Sequence, residues 1–229
     1  MRAWAAASVL AGGSLVAAHS GGRAPLPPLH KASDAMDIGN FSHTVVAAAP
    51  TPDGKGFWLA YADGSVVAVG DATYYGDMAG HAMNAPVVNI AATPDGHGYW
   101  LLGADGGVFT FGDAAYEGST GNIHLNAPAL QMAAEKVGQG YYFVAGDGGV
   151  FTFGDAPFYG STGSTHLNRP VVAMAPTSDG HGYWLLAADG GVFTFGDAAF
   201  LGSLGSTHLN RPIVGLAPAP DGGGYWLVA

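Results

Sequence analysis

The chain has 229 residues, 48% of them apolar and 10% charged, with 7 Lys and Arg against 17 Asp and Glu and a formal net charge of −10. That much apolar content supports a packed core and excludes a disordered or collagen-like chain. The scarcity of basic residues argues against nucleic acid as a partner and against an anionic membrane surface. The absence of cysteine excludes a disulfide framework, thiolate zinc sites and cysteine nucleophiles.

In chain order, the first stretch carries Arg2, an apolar run from Ala3 to Ala18, and small residues Val16 and Ala18 where a signal peptidase reads. Residues 1–18 are therefore expected to be an export signal cleaved after Ala18. A membrane anchor is the competing reading, but a run of roughly 16 residues broken by Gly12, Gly13 and Ser14 falls short of the ~20 needed to span a bilayer. Residues 19–36 include GGRAPLPPLHK, whose Gly and Pro content predicts an extended linker. The remaining 37–229 form the folded domain. No second hydrophobic span follows, so the mature chain is expected to be secreted or cell-wall associated, with no membrane insertion after signal cleavage.

A 42-residue string then returns without insertions: GFWLAYADGSVVAVGDA, GYWLLGADGGVFTFGDA, GYYFVAGDGGVFTFGDA and GYWLLAADGGVFTFGDA open at Gly56, Gly98, Gly140 and Gly182. A partial fifth copy begins at Gly224. The landmarks keep step: Asp63, Asp105, Asp147, Asp189; Gly70, Gly112, Gly154, Gly196; Asn84, Asn126, Asn168, Asn210; Pro86, Pro128, Pro170, Pro212.

Within the second unit, short apolar runs separated by Gly, Asp-Gly or Pro predict strands over Val87–Thr93, Tyr99–Ala104 and Val108–Phe111. A weak fourth falls around Ala115–Gly118. Four strands per repeat is a propeller blade, and the period fits blades of roughly 40 to 50 residues. The fifth residue of each first strand is Ala49, Ala91, Ala133, Ala175 or Ala217, small as convergence on an axis requires. The bulk sits in the second and third strands, in Tyr99, Trp100, Phe109, Phe111 and their equivalents.

The motif GYWLLAADGGVFTFGDA followed by GS.G...LN.P resembles the tandem repeats of exported proteins of high-GC Gram-positive bacteria, and more distantly the RCC1-type propeller repeat. It is shorter than the latter and has Phe or Val where that family commonly has Trp. The resemblance covers Thr44–Ala229 and implies an all-β propeller, a surface or wall-associated module and no nucleotide-exchange role. Five blades are expected, closed by residues 33–43 adding an outer strand to the partial fifth unit, because an open end would leave a sheet edge and an apolar face in water. Closure in this way predicts a monomer. Four blades with a spare hairpin, or a ring completed by another chain, are the alternatives.

Blade geometry places the TPDGHG and FGDA loops on one face, and the ADGG turns and inter-blade GSTHLNRP segments on the other, where propellers tend to bind ligands. The candidate ligand-binding residues are therefore His124, His166 and His208; Asn84, Asn126, Asn168 and Asn210; and Asp63, Asp105, Asp147 and Asp189. Each has a plainer role to weigh: the Asp in an Asp-Gly hairpin turn, the Asn in its own loop. Equivalent histidines on adjacent sheets stand ~10 Å apart, too far to share one zinc at ~2 Å. The DGG and GDA strings also lack the oxygen density of a calcium loop. Neither a metal nor a cofactor is expected.

No GxSxG, HExxH or phosphate-loop motif is present, and the irregular carboxylates Glu117 and Glu135 fall in different blades and, on this reading, on opposite faces. The expected function is thus a non-catalytic binding module for cell-wall or extracellular glycan, the repeated weak sites acting through avidity. Tyr75, Tyr116 and Tyr159 are candidate stacking rings. A protein-interaction or structural surface platform is the alternative.

Overall fold

The computed structural model describes residues 44–136, 139–219 and 223–229. The export signal, the linker and the expected closing strand at 33–43 lie outside the described residues.

Fourteen strands form five separate antiparallel sheets among the described residues, one per repeat. The first holds β1 (Val45–Pro50), β2 (Phe57–Tyr61) and β3 (Val66–Val69); the second β4 (Val87–Ala92), β5 (Gly98–Gly103) and β6 (Val108–Gly112). The third holds β7 (Ala129–Ala134), β8 (Gly140–Ala145) and β9 (Val150–Gly154), and the fourth β10 (Val171–Pro176), β11 (Gly182–Ala187) and β12 (Val192–Gly196). The fifth has β13 (Gly215–Pro218) and β14 (Tyr225–Val228). All five are successive hairpins with the first strand at one edge, the arrangement of propeller blades.

The local sequence dictates these hairpins. Gly64, Gly106, Gly148 and Gly190 have φ between 78° and 83°, a conformation that costs a residue with a Cβ. The Asp before each turns its Oδ1 onto the backbone N–H two residues on, at 2.9–3.0 Å. Along the buried middle strands every residue of β5, β8 and β11 is buried, as sheets covered on both faces require. The repeated alanines pair with the bulky Trp or Tyr of the middle strand: Ala49 with Trp58, Ala91 with Trp100, Ala133 with Tyr142, Ala175 with Trp184 and Ala217 with Trp226.

The core lies between neighbouring sheets. Trp58 packs on Tyr99, Trp100 on Tyr141, Tyr142 on Tyr183 and Trp184 on Tyr225, with ring centroids 5.4–5.8 Å apart. Backbone bonds stitch each blade to the next: the N–H groups of Val87, Ala129, Val171 and Ile213 donate to Ala62, Ala104, Gly146 and Ala188 of the blade before. Each blade thus depends chiefly on its two neighbours.

The expected fourth strand does not form a ladder; each full repeat has three strands. Side chains satisfy that segment's backbone instead. The indole N–H of Trp58, Trp100 and Trp184 donates to the carbonyls of Thr73, Ala115 and Ala199 at 2.7–2.8 Å. From the following blade, the hydroxyls of Tyr99, Tyr141 and Tyr183 donate to Gly76, Gly118 and Gly160 at 2.5–2.6 Å and accept the N–H one residue before. Tyr225 makes the same pair of bonds with Gly202 and Leu201. Phe57, the equivalent residue in the first blade, has no hydroxyl, and no described blade precedes it.

At the other end Trp226 is 55% exposed, where its equivalents Trp58, Trp100, Tyr142 and Trp184 are at most 4% exposed. The outer face of the fifth sheet is uncovered among the described residues.

Candidate functional site

The candidate residues lie at two opposite ends of the blades and on their outer segments. At the end bearing the β-turns, the inter-blade loops fold back onto those turns: Thr120, Thr162 and Leu204 donate backbone N–H bonds to Gly106, Gly148 and Gly190. This seats His124, His166, His208, Asn84, Asn126, Asn168 and Asn210 on the surface, all exposed.

One shallow cleft of about 240 Å³ brings three of the candidates together: His166 and Asn168 from the loop, Asp189 from the β11–β12 turn, with Arg169 and Phe193 beside them. Asp63 is exposed and Asp105, Asp147 and Asp189 are half-buried, each with one carboxylate oxygen engaged by its own turn. In Asp105, Asp147 and Asp189 the second oxygen is what the residue can offer a ligand.

The stacking rings fall differently from expectation. Tyr75 and Tyr159 turn inward, against Tyr99 and Tyr183, and their hydroxyls donate to Gly96 and Gly180 of the following blade at 3.1 Å. Tyr116 does face solvent, and it belongs to a row: Tyr74, Tyr116, Phe158 and Phe200 are 54%, 60%, 59% and 62% exposed. These residues stand 42 apart in sequence, at the same place in four successive blades. In blades 1, 2 and 4 the outer segment is anchored on both sides of this position, by the Trp indole and by the Tyr hydroxyl of the next blade, leaving the ring between pointing out; in blade 3, where Tyr142 replaces the Trp, the anchor is the Tyr183 hydroxyl. Four aromatic rings are thus left in water at equivalent places of four successive blades.

The opposite end holds the loops between first and second strands and the turn after the third. Glu117 and Glu135 both lie there, not on opposite faces: the Glu117 side chain lies over Gly154, and the Glu135 N–H donates to the Gly140 carbonyl. Glu135 is buried and occupies the position of Thr51, Thr93 and Thr177, whose hydroxyls brace the loop by accepting the N–H of Gly56, Gly98 and Gly182. Burial drives the neighbouring Tyr142 hydroxyl well above its ordinary value, and the nearby Glu135 carboxyl adds to it.

Sequence reasoning missed a constellation at this end. Asp95, His97 and Asp113 meet on blade 2, and Asp179, His181 and Asp197 on blade 4, the ligand atoms of each trio within 4.8 Å of one another. The signal is present in PDGHG and TSDGHG, each followed by FGDA on the same face, whereas the histidines weighed from the sequence are His124, His166 and His208.

No family model and no curated protein matches the chain. Among solved structures it is similar to the β-propeller domain of Cps50 (Swd1) from Myceliophteria thermophila, with TM-score 0.55 and 11% identity, covering 82% of this chain and 62% of that one. It is also similar to a protein of unknown function from Bacteroides thetaiotaomicron, with TM-score 0.55 and 14% identity, covering 82% of this chain and 57% of that one. The chain thus spans about three fifths of each. At these identities the likeness concerns the fold alone: an all-β chain of repeated small antiparallel sheets that resemble propeller blades.

Proposed function

We propose that the chain is an exported, non-catalytic module that binds an extracellular or cell-wall glycan, with each blade contributing one weak contact. The observation that carries this reading is the row Tyr74, Tyr116, Phe158 and Phe200, one exposed ring in each of the first four blades. Aromatic faces pack against the C–H faces of pyranose rings, and a periodic polymer meets a periodic protein through several such contacts at once. The polar complement is the His166, Asn168 and Asp189 cleft, whose donors and acceptors suit sugar hydroxyls. The low count of basic residues favours a neutral polymer over a polyanion.

The same reading takes the working protein as a five-bladed ring in which residues 33–43 supply the outer strand missing from the β13–β14 sheet. Its support is that the last sheet holds two strands where the others hold three, and that Trp226 is exposed where its equivalents are packed by the following blade, a cover that a closed ring would supply.

The test is co-sedimentation of the mature chain with insoluble cell-wall polysaccharide, in parallel with an immobilised panel of extracellular proteins. Saturable retention on the polysaccharide, lost when Tyr74, Tyr116, Phe158 and Phe200 are all replaced by Ala, is the expected result. Retention on protein alone would move the reading to an interaction platform.

A further inference from the structure

We infer that blades 2 and 4 each carry a divalent-cation site of the zinc class, formed by Asp95, His97 and Asp113 and by Asp179, His181 and Asp197. The inference is independent of the glycan reading, because these groups lie at the end of the blades away from the His166 cleft.

The fold assembles each trio from two loops. The β4–β5 loop supplies Asp95 and His97 and the turn after β6 supplies Asp113, clipped together by the Asp113 N–H donating to the His97 carbonyl at 3.1 Å. Blade 4 repeats the clip from Asp197 to His181 at 3.1 Å. One oxygen of each loop Asp is committed: Asp95 Oδ1 accepts the Thr93 hydroxyl at 2.7 Å and the His97 N–H at 3.1 Å, and Asp179 Oδ1 accepts Thr177 at 2.8 Å and His181 at 3.2 Å. The other oxygen faces the imidazole, with Oδ2 to Nδ1 distances of 3.2 Å and 3.6 Å. Two donors at about 2.0–2.2 Å from one ion stand at about that separation from each other.

Charge is the second observation, and it comes from comparing blades. In blade 1 the same place holds Asp53, Asp71 and Lys55, and the Lys55 ammonium lies 2.7 Å from Asp53 Oδ2. There the protein provides the cation covalently. Blades 2 and 4 keep both carboxylates but put histidine where the lysine stood, replacing a fixed positive charge with a metal ligand. Two carboxylates and one imidazole are a donor set for zinc or a similar first-row ion, with water completing the shell. In blade 3 the loop offers Gln139 in place of the histidine, and Gly223 stands there in blade 5, so neither has the set.

The test is isothermal titration of the untagged full chain with zinc chloride, counting ions per chain. The expected result is that His97→Ala with His181→Ala lowers the count by two, while replacing His124, His166 and His208 by Ala leaves it unchanged. Lys55→His adds the missing ligand to blade 1 and is expected to raise the count by one, a gain that misfolding cannot produce. A chain that takes up no zinc, or a count that stays put in either the His97/His181 or the Lys55 experiment, overturns the proposal.

Discussion

Asp53 shows how a single carboxylate reads its surroundings. The Lys55 ammonium, the Lys55 N–H and the Thr51 hydroxyl all bond it and hold its carboxyl well below the usual carboxylate range. A folded-state value below the unfolded one means that the bonds stabilise the protein in full above the ordinary carboxylate range, and that this contribution is lost progressively as pH falls from there to the lowered folded-state value. Both groups are exposed, so the effect on stability is small. Lys55→Met is expected to move the Asp53 midpoint up toward its ordinary value in a carboxyl NMR titration; an unmoved midpoint would contradict the assignment. Single residues were also where the sequence was least legible. Tyr74 and Tyr75 are chemically identical neighbours, and nothing local says which turns out. Comparing repeats separates the two positions: the outward one is aromatic four times, while the one after it is Tyr, Glu, Tyr and Leu.

Strands and turns were far more legible, because apolar runs bounded by Asp-Gly fix both the length and the register of a hairpin. The predicted Val87–Thr93, Tyr99–Ala104 and Val108–Phe111 each match an observed strand to within a residue or so. The fourth strand failed for a physical reason: its backbone partners are a Trp indole and a Tyr hydroxyl, long-range contacts that leave no period in the segment itself. The clasp makes a prediction by contrast. Tyr183→Phe removes the donor to Gly160 and the acceptor of Tyr159 N–H, and is expected to cost about 1–3 kcal/mol in urea unfolding. The Tyr142 hydroxyl is buried with no hydrogen-bond partner among the described residues, so Tyr142→Phe is expected to be neutral or slightly stabilising. Equal losses in the two variants would contradict the clasp.

For the whole molecule, the strict 42-residue step made the repeated sheets foreseeable, whereas closure depends on how two distant ends meet, which no repeat encodes. If residues 33–43 complete the last blade, deleting 19–43 lowers the thermal midpoint and shifts Trp226 emission to the red, read as the difference from Trp226→Phe. Deleting only 19–32 leaves both unchanged. Unchanged emission in the longer deletion would mean that this segment does not close the ring over Trp226.

The claim of repeated weak binding is tested most directly by measuring affinity for soluble oligosaccharides of the retained polymer as the exposed rings are removed one at a time, from Tyr74 through Tyr116 and Phe158 to Phe200. The account predicts that each Ala weakens binding of a long oligosaccharide by a similar factor, while a short one is bound weakly from the start. Loss of all binding from one substitution, or none from all four, would contradict it.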